Sequence, residues 1–169
     1  MSMPPPAVAI KASDRYRLER LARVAADRGD VDALLLLGEL TRAESIPNDD
    51  DRGVLRSRVT MGACVTYWTE AGTCGVPRNT RQLVYPDQYR FWRYQLSILS
   101  PLGSALIGLR VGSQMPFFQH GTMHYVRVES LDKPSSNVVR LLFNKEASSG
   151  HTSHRPTTIR GRDRKEETE

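Results

Sequence analysis

The densest run of chemically capable side chains is Arg90, Phe91, Trp92, Arg93 and Tyr94, where cations alternate with stacking surfaces. Guanidinium groups hold phosphates and aromatic faces stack on unpaired bases. This spacing therefore suits a weak contact with single-stranded RNA through Arg90, Trp92 and Arg93. The same residues also suit a basic surface loop or an exposed strand edge with its rings tucked onto a sheet. Other reactive residues are scattered. His120, His124, His151 and His154 do not converge at metal-ligand spacing, and Cys64 and Cys74 are too few for a disulfide framework or a four-cysteine metal site. The chain has no Gly-x-Ser-x-Gly elbow, no phosphate-cradling loop ending in Gly-Lys-Ser/Thr and no His-Glu-x-x-His helix. The expectation is a protein that is not an enzyme, holds no cofactor or metal and turns over no small-molecule substrate.

A chain of 169 residues, 39% of them hydrophobic, is one ordinary domain with appendages. Its apolar residues come in short clusters, well below the roughly 18 to 20 uninterrupted positions of a membrane-spanning helix, so no membrane partner is expected. The start, Met-Ser-Met-Pro-Pro-Pro-Ala-Val-Ala-Ile, has no basic residues leading into an apolar stretch long enough for a secretory signal, which points to the cytoplasm with both thiols reduced. Charge is uneven along the chain. Residues 1–56 carry nine basic and ten acidic side chains, residues 57–144 nine and four, and residues 145–169 six and five, so the excess behind the net +5 sits in the middle.

These groups must be positioned by an α+β fold. Residues 1–12 read as a disordered leader because proline lacks an amide donor and favours extended backbone. Leu18, Leu21, Ala22 and Ala25 fall at helical spacing behind Ser13 and Asp14, either of which can cap a helix. Gly29 stops that helix, and Asp30 or Asp32 starts a second one bearing Leu34, Leu35, Leu36, Leu37 and Leu40. Residues 13–46 thus form an antiparallel helical hairpin, its leucines zipped together or shared with the body that follows. A polar linker spans 47–56. Strands are expected from Val59 to Trp68, from Gln82 to Tyr85, from Met115 to Phe118 and from His124 to Val128. Ser100 as cap, Pro101 at the first helical position, an apolar turn and Gly108 as terminator specify one short helix. Residues 57–134 are therefore a small antiparallel sheet packed on one helix, and 135–169 an extension with a disordered tail.

The run 97–112, Ser-Ile-Leu-Ser-Pro-Leu-Gly-Ser-Ala-Leu-Ile-Gly-Leu-Arg-Val-Gly, resembles the signature of the C-terminal domain of Gre-type transcript cleavage factors. Val59-Thr60-Met61-Gly62 and Leu83-Val84-Tyr85-Pro86 fit the same family. The pattern is most similar to the Rnk group, regulators of nucleoside diphosphate kinase, in which a shortened hairpin precedes the same FKBP-like domain. The similarity spans roughly residues 13–132. The loop at 71–80, the aromatic segment at 89–94 and the tail depart from it.

The resemblance implies docking on RNA polymerase at the rim of its secondary channel, competition with longer Gre-type factors, and an indirect effect on nucleoside diphosphate kinase through expression. It places Ser100, Pro101, Leu102, Gly103 and Ser104 at the polymerase-facing surface. Packing is the equal alternative, since Leu102, Leu106 and Ile107 must partly fill a small core; both hold if Ser100, Pro101, Gly103 and Ser104 stay exposed while the leucines point inward. The resemblance also places Asp27, Asp30 and Asp32 at the hairpin tip, where cleavage factors use carboxylates to hold a metal ion. A hairpin of residues 13–28 reaches only roughly 24 Å at 1.5 Å per residue. The aspartates then either cap and solvate a helix turn or form a tip that obstructs the channel. The implied fold also raises prolyl isomerisation, but packing accounts more simply for Trp68, Tyr85, Phe91, Trp92, Phe117 and Phe118, and a fold alone licenses no activity.

Overall fold

The computed structural model describes residues 5–50, 53–71, 74–75, 78–90 and 93–132. A short strand β1 (Ala9–Lys11) leads into helix α1 (Ala12–Asp27), helix α2 (Asp32–Arg42) and strand β2 (Glu44–Ile46). A 3-10 turn at Val54–Ser57 precedes β3 (Cys64–Ala71), β4 (Cys74–Gly75) and β5 (Asn79–Val84). A second such turn at Pro86–Gln88 leads to β6 (Gln95–Ser97), helix α3 (Pro101–Leu106) and the hairpin β7 (Gln114–Gln119) and β8 (Thr122–Asp132). The large sheet has the order β6-β5-β3-β8-β7, with β4 appended to β3. This is the expected α+β arrangement of a helical hairpin followed by a sheet packed on one helix.

Alternation decides which side of the β7–β8 hairpin faces inward. Met115, Phe117, Val126 and Val128 are buried, while Pro116, Phe118, Met123 and Tyr125 point out. The sheet is mixed rather than wholly antiparallel, because β5 and β6 run parallel with Leu83 opposite Leu96. Val59 and Met61 precede β3 instead of starting it, since Met61 and Gly62 form a turn. Cys64 is a free, buried thiol, pushed up by burial and by Asp132 beside it.

The segment expected to be a disordered leader is partly structured, and the reason is a glycine. Gly108, just beyond α3, has φ +72°, and a Cβ there would lie 2.5 Å from Val8 Cγ1 and 2.7 Å from the Ala9 carbonyl. Its missing side chain makes room for the incoming N-terminus. The Ala9 amide donates to the Gly108 carbonyl at 3.2 Å, and β1 pairs in parallel with β2. Val8, Ala9 and Ile10 are buried, so burial of three consecutive apolar residues offsets the entropy of ordering this segment. Residues 1–4 lie outside the described residues, as do 133–169, where the extension and tail were expected.

The helices also differ from expectation in their limits and in where they lie. Gly29, at φ +89°, closes α1 with a Schellman pattern: its amide donates to the Ala26 carbonyl and the Asp30 amide to that of Ala25. Beyond α2 the chain turns extended as β2, so residues 44–46 belong to a sheet rather than to the hairpin. In the linker, Asp50 accepts from the Val54 and Leu55 amides and caps the 3-10 turn. The leucine faces are both zipped and shared. Leu18, Ala22, Leu36 and Leu40 join one continuous core with Leu106, Met115, Phe117 and Val126. Leu34 and Leu35 stay exposed.

Polar clasps hold the hairpin to the body. Arg42 pairs with Glu39, donates to the Pro6 carbonyl at 2.6 Å and reaches Met115 Sδ at 3.3 Å. Burial raises the Glu39 carboxyl, and Arg42 pulls it back. Across the seam, the Arg17 guanidinium lies 3.8 Å from the Tyr85 ring centroid and 3.7 Å from Asp87. The Tyr85 hydroxyl is buried with no hydrogen-bond partner among the described residues. Burial, then Asp14, push its phenol up to about 12, with Arg17 opposing.

Three outcomes follow for denaturant or thermal melts. Gly108→Ala destabilises by about 2 to 4 kcal/mol, the sum of left-handed strain and overpacking. Gly38→Ala stabilises by about 1 kcal/mol, because Gly38 lies inside α2 with nothing within 4 Å of a new Cβ. Tyr85→Phe leaves neutral-pH stability unchanged or raises it by up to about 1 kcal/mol, since no hydrogen bond is lost. The folded-state phenol binds its proton more tightly than the unfolded one, so the Tyr85 contribution is present below about pH 10 and lost as pH rises toward about 12. Tyr85→Phe removes that part of the alkaline decline.

Candidate functional site

Strand β6 delivers the chain directly into α3, and residues 97–104 form a tight corner. Ser100, extended at ψ 151°, caps the helix: its Oγ accepts from the Gly103 amide at 3.1 Å and donates to the Ser97 carbonyl at 2.7 Å. Pro101 takes the first helical position, where no amide donor is required. Gly103 presses on the preceding turn, and a Cβ there would lie 2.1 Å from the Ser97 carbonyl oxygen. The Ser104 hydroxyl is buried and donates to the Ile98 carbonyl at 3.0 Å.

This geometry corrects the expected exposure of the corner. Gly103 and Ser104 are buried, and their types are dictated by a close backbone approach and an internal hydrogen bond. Ser100, Pro101 and Leu102 remain half-buried. The surface beside them is made by other elements: Leu35 and Glu39 of α2, and Pro116, Phe117 and Phe118 of β7, line a cavity of about 50 Å³ together with Pro101, Ser104 and Ala105. The α2 and β7 contributors were not singled out from the sequence. The available signal was Met115 to Phe118, four apolar residues in a row where a strand with one wet face should alternate.

At the hairpin tip, Asp30 accepts from the Asp32 amide at 3.0 Å, as a residue starting a helix does, while Asp27 and Asp32 are exposed. Among the described residues no cluster of three His, Cys, Asp or Glu side chains is arranged to hold a metal ion. The hairpin does not stand away from the body. Leu35 already lines the cavity with α3, and Gly29 lies only six positions before it, an overhang on the order of 10 Å.

The basic aromatic segment falls on the connection between β5 and β6. Arg90 is exposed, and its backbone amide donates to Gln95 Oε1 at 2.7 Å. Arg93 is exposed in a turn, and the Tyr94 carbonyl accepts from the Gln82 amide at 2.7 Å. Phe91 and Trp92 lie outside the described residues. A polar cleft of about 360 Å³ at the seam of α1 and the body is lined by Lys11, Asp14, Asn48, Leu55, Arg56, Thr60 and Met61. Burial raises the Asp14 carboxyl there, with Lys11 and Arg17 opposing. The lining supplies no paired nucleophile and base. Among the described residues, no helix is long and apolar enough to cross a membrane.

Comparison with known proteins agrees with this architecture. The profile of the family described as transcription elongation factor, GreA/GreB, C-term, matches residues 55–131. A solved structure described as a prokaryotic transcription elongation factor GreA/GreB from Nitrosomonas europaea is similar at 27% identity and TM-score 0.55, covering 73% of this chain and 98% of that one. The GreA factor homolog 1 (Gfh1) of Thermus thermophilus aligns at 19% identity and TM-score 0.37, over 75% of this chain and 99% of its own. Gfh1 of Thermus aquaticus aligns at 19% identity and TM-score 0.37, over 74% and 99%. No curated protein matches the chain. Over residues 55–131, which hold the α3 corner and the large sheet, the chain is thus similar to the C-terminal domain of GreA/GreB transcription elongation factors.

Proposed function

We propose that this chain is a non-enzymatic regulator that binds RNA polymerase at the rim of the secondary channel, as the resemblance to Gre-type factors implies, and competes there with longer cleavage factors. The observation that carries the reading is a match to the GreA/GreB C-terminal family model over residues 55–131, joined to a hairpin that packs on it with an overhang of only about 10 Å. The domain supplies the docking surface, with the α3 corner facing the polymerase through Ser100, Pro101 and Leu102. Gly103 and Ser104 hold that corner in shape. The short tip leaves Asp27, Asp30 and Asp32 outside the active centre, where they cap and solvate the turn. Occupancy of the channel is then the mode of action. As in the Rnk group that the sequence resembles, any effect on nucleoside diphosphate kinase is indirect, through transcription.

Binding of the full chain to core RNA polymerase, with and without excess Gre-type cleavage factor, tests this reading. Saturable binding abolished by the competitor is the expected result. Pro101→Glu weakens binding about tenfold or more, as loss of a central contact does, and keeps the fold because an acidic residue suits a first helical turn. Asp27→Asn with Asp32→Asn leaves affinity within about twofold, as for charges outside the contact. No binding at low salt overturns the reading. Binding that instead requires Arg90 and Arg93 and falls steeply with salt assigns the chain to RNA.

A further inference from the structure

The cleft of about 360 Å³ at the seam has two walls drawn from different parts of the chain. Lys11 at the end of β1, Asp14 in the first turn of α1 and Asn48 beyond β2 form the hairpin side. Leu55 and Arg56 of the first 3-10 turn, with Thr60 and Met61 ahead of β3, form the side of the sheet domain. Polar groups around this cleft are left without partners inside the protein. Among the described residues, the side chains of Lys11, Asp14, Arg56 and Thr60 close no hydrogen bond or ion pair. Asn48 accepts from the Ser13 amide at 3.1 Å through Oδ1, which holds the side chain in place and leaves its NH2 group to donate. Asp50, further along the linker, gives both carboxylate oxygens to the Val54 and Leu55 amides, so they are already taken.

The chemistry of the walls selects a ligand class. Two cations from separate segments match a phosphate monoester, which carries about −1.5 to −2 charge at pH 7, better than a carboxylate with a single charge. Asn48 and Thr60 add donors for the same anion. Asp14 accepts from an amino or hydroxyl group elsewhere on the ligand and repels a second anionic group. Leu55 and Met61 supply an apolar surface for a flat ring. The volume falls near the lower end of small-molecule sites, roughly 300 to 1,000 Å³, which suits a mononucleotide and exceeds what a bare phosphate ion fills. We infer that this cleft binds a nucleoside monophosphate, its phosphate between Lys11 and Arg56 and its nucleoside against Leu55, Met61 and Asp14. A ligand held there bridges both walls and fastens the hairpin to the sheet domain, without turnover. Neither the α3 corner nor the hairpin tip contributes to the site, so it stands or falls independently of polymerase binding.

Calorimetric titration of the full chain with AMP, GMP, CMP and UMP, at about 0.15 M salt to screen diffuse attraction, tests the inference. At least one of the four binds one-to-one with a Kd below about 1 mM, and at least about tenfold more tightly than its own nucleoside or inorganic phosphate. Lys11→Met and Arg56→Met, which keep the apolar stems, each weaken that binding about tenfold while the free protein melts within about 2 °C of the wild type. If one variant melts early, the other carries the comparison. No saturable binding of any of the four up to about 10 mM overturns the inference. So does a nucleoside or phosphate ion that binds as tightly as the nucleotide, or nucleotide binding that survives both variants, which assigns it to the net positive charge of the chain.

Discussion

The absence of a side chain at Gly108 is the constraint on which the rest of this structure depends. The residue holds a left-handed conformation just beyond α3, and Val8 and Ala9 occupy the space a Cβ would fill. Through that gap β1 enters, and β1 is what ties the helical hairpin to the sheet domain. Arg58 reinforces the junction by donating to both the Ala7 and Gly108 carbonyls. Arg42, at the other end of the hairpin, reaches the Pro6 carbonyl and Met115. With both ends held, Leu36 and Leu40 pack into the same core as Leu106 and Phe117, and the hairpin lies along the body.

That packing separates two roles which a sequence signature merges. In residues 97–112, Ser100, Gly103, Ser104 and Gly108 are tied to backbone geometry: a cap, a close approach, a buried hydroxyl bond and a left-handed turn. Their spacing is specific because the corner tolerates few other residue types, so the match is strong evidence for the fold. The surface this corner presents is shared with α2 and β7, whose apolar residues belong to no motif. Specificity for a partner can therefore vary while the corner is unchanged.

Electrostatics follow the same division. The half-buried charges serve assembly, as with Glu39 and Arg42 and with Arg15 between Glu19 and the Ala43 carbonyl, and exposed Arg17 lies over Tyr85. Exposed Arg90 and Arg93 lie on the β5–β6 connection. Long-range attraction to an anionic partner remains available from such a surface, without a geometry that selects one ligand.

Much of the architecture was legible in residue order. Helical spacing and Gly29 announced the hairpin, Ser100 and Pro101 announced α3, and short apolar runs between turn residues announced β7 and β8, because each signal is local and acts through caps, turns and periodicity. What local signals could not carry was decided by contacts between distant residues. The structured N-terminus needs Gly108, nearly a hundred residues away. The parallel pairing of β5 with β6 depends on the path of the connecting loop. The burial of Gly103 and Ser104 depends on Ser97 and Ile98 turning back on them. The hairpin's direction, and with it the reach of Asp27, Asp30 and Asp32, was likewise set by packing of α2 on α3. A leucine-rich helix states that it must bury a face but not against what.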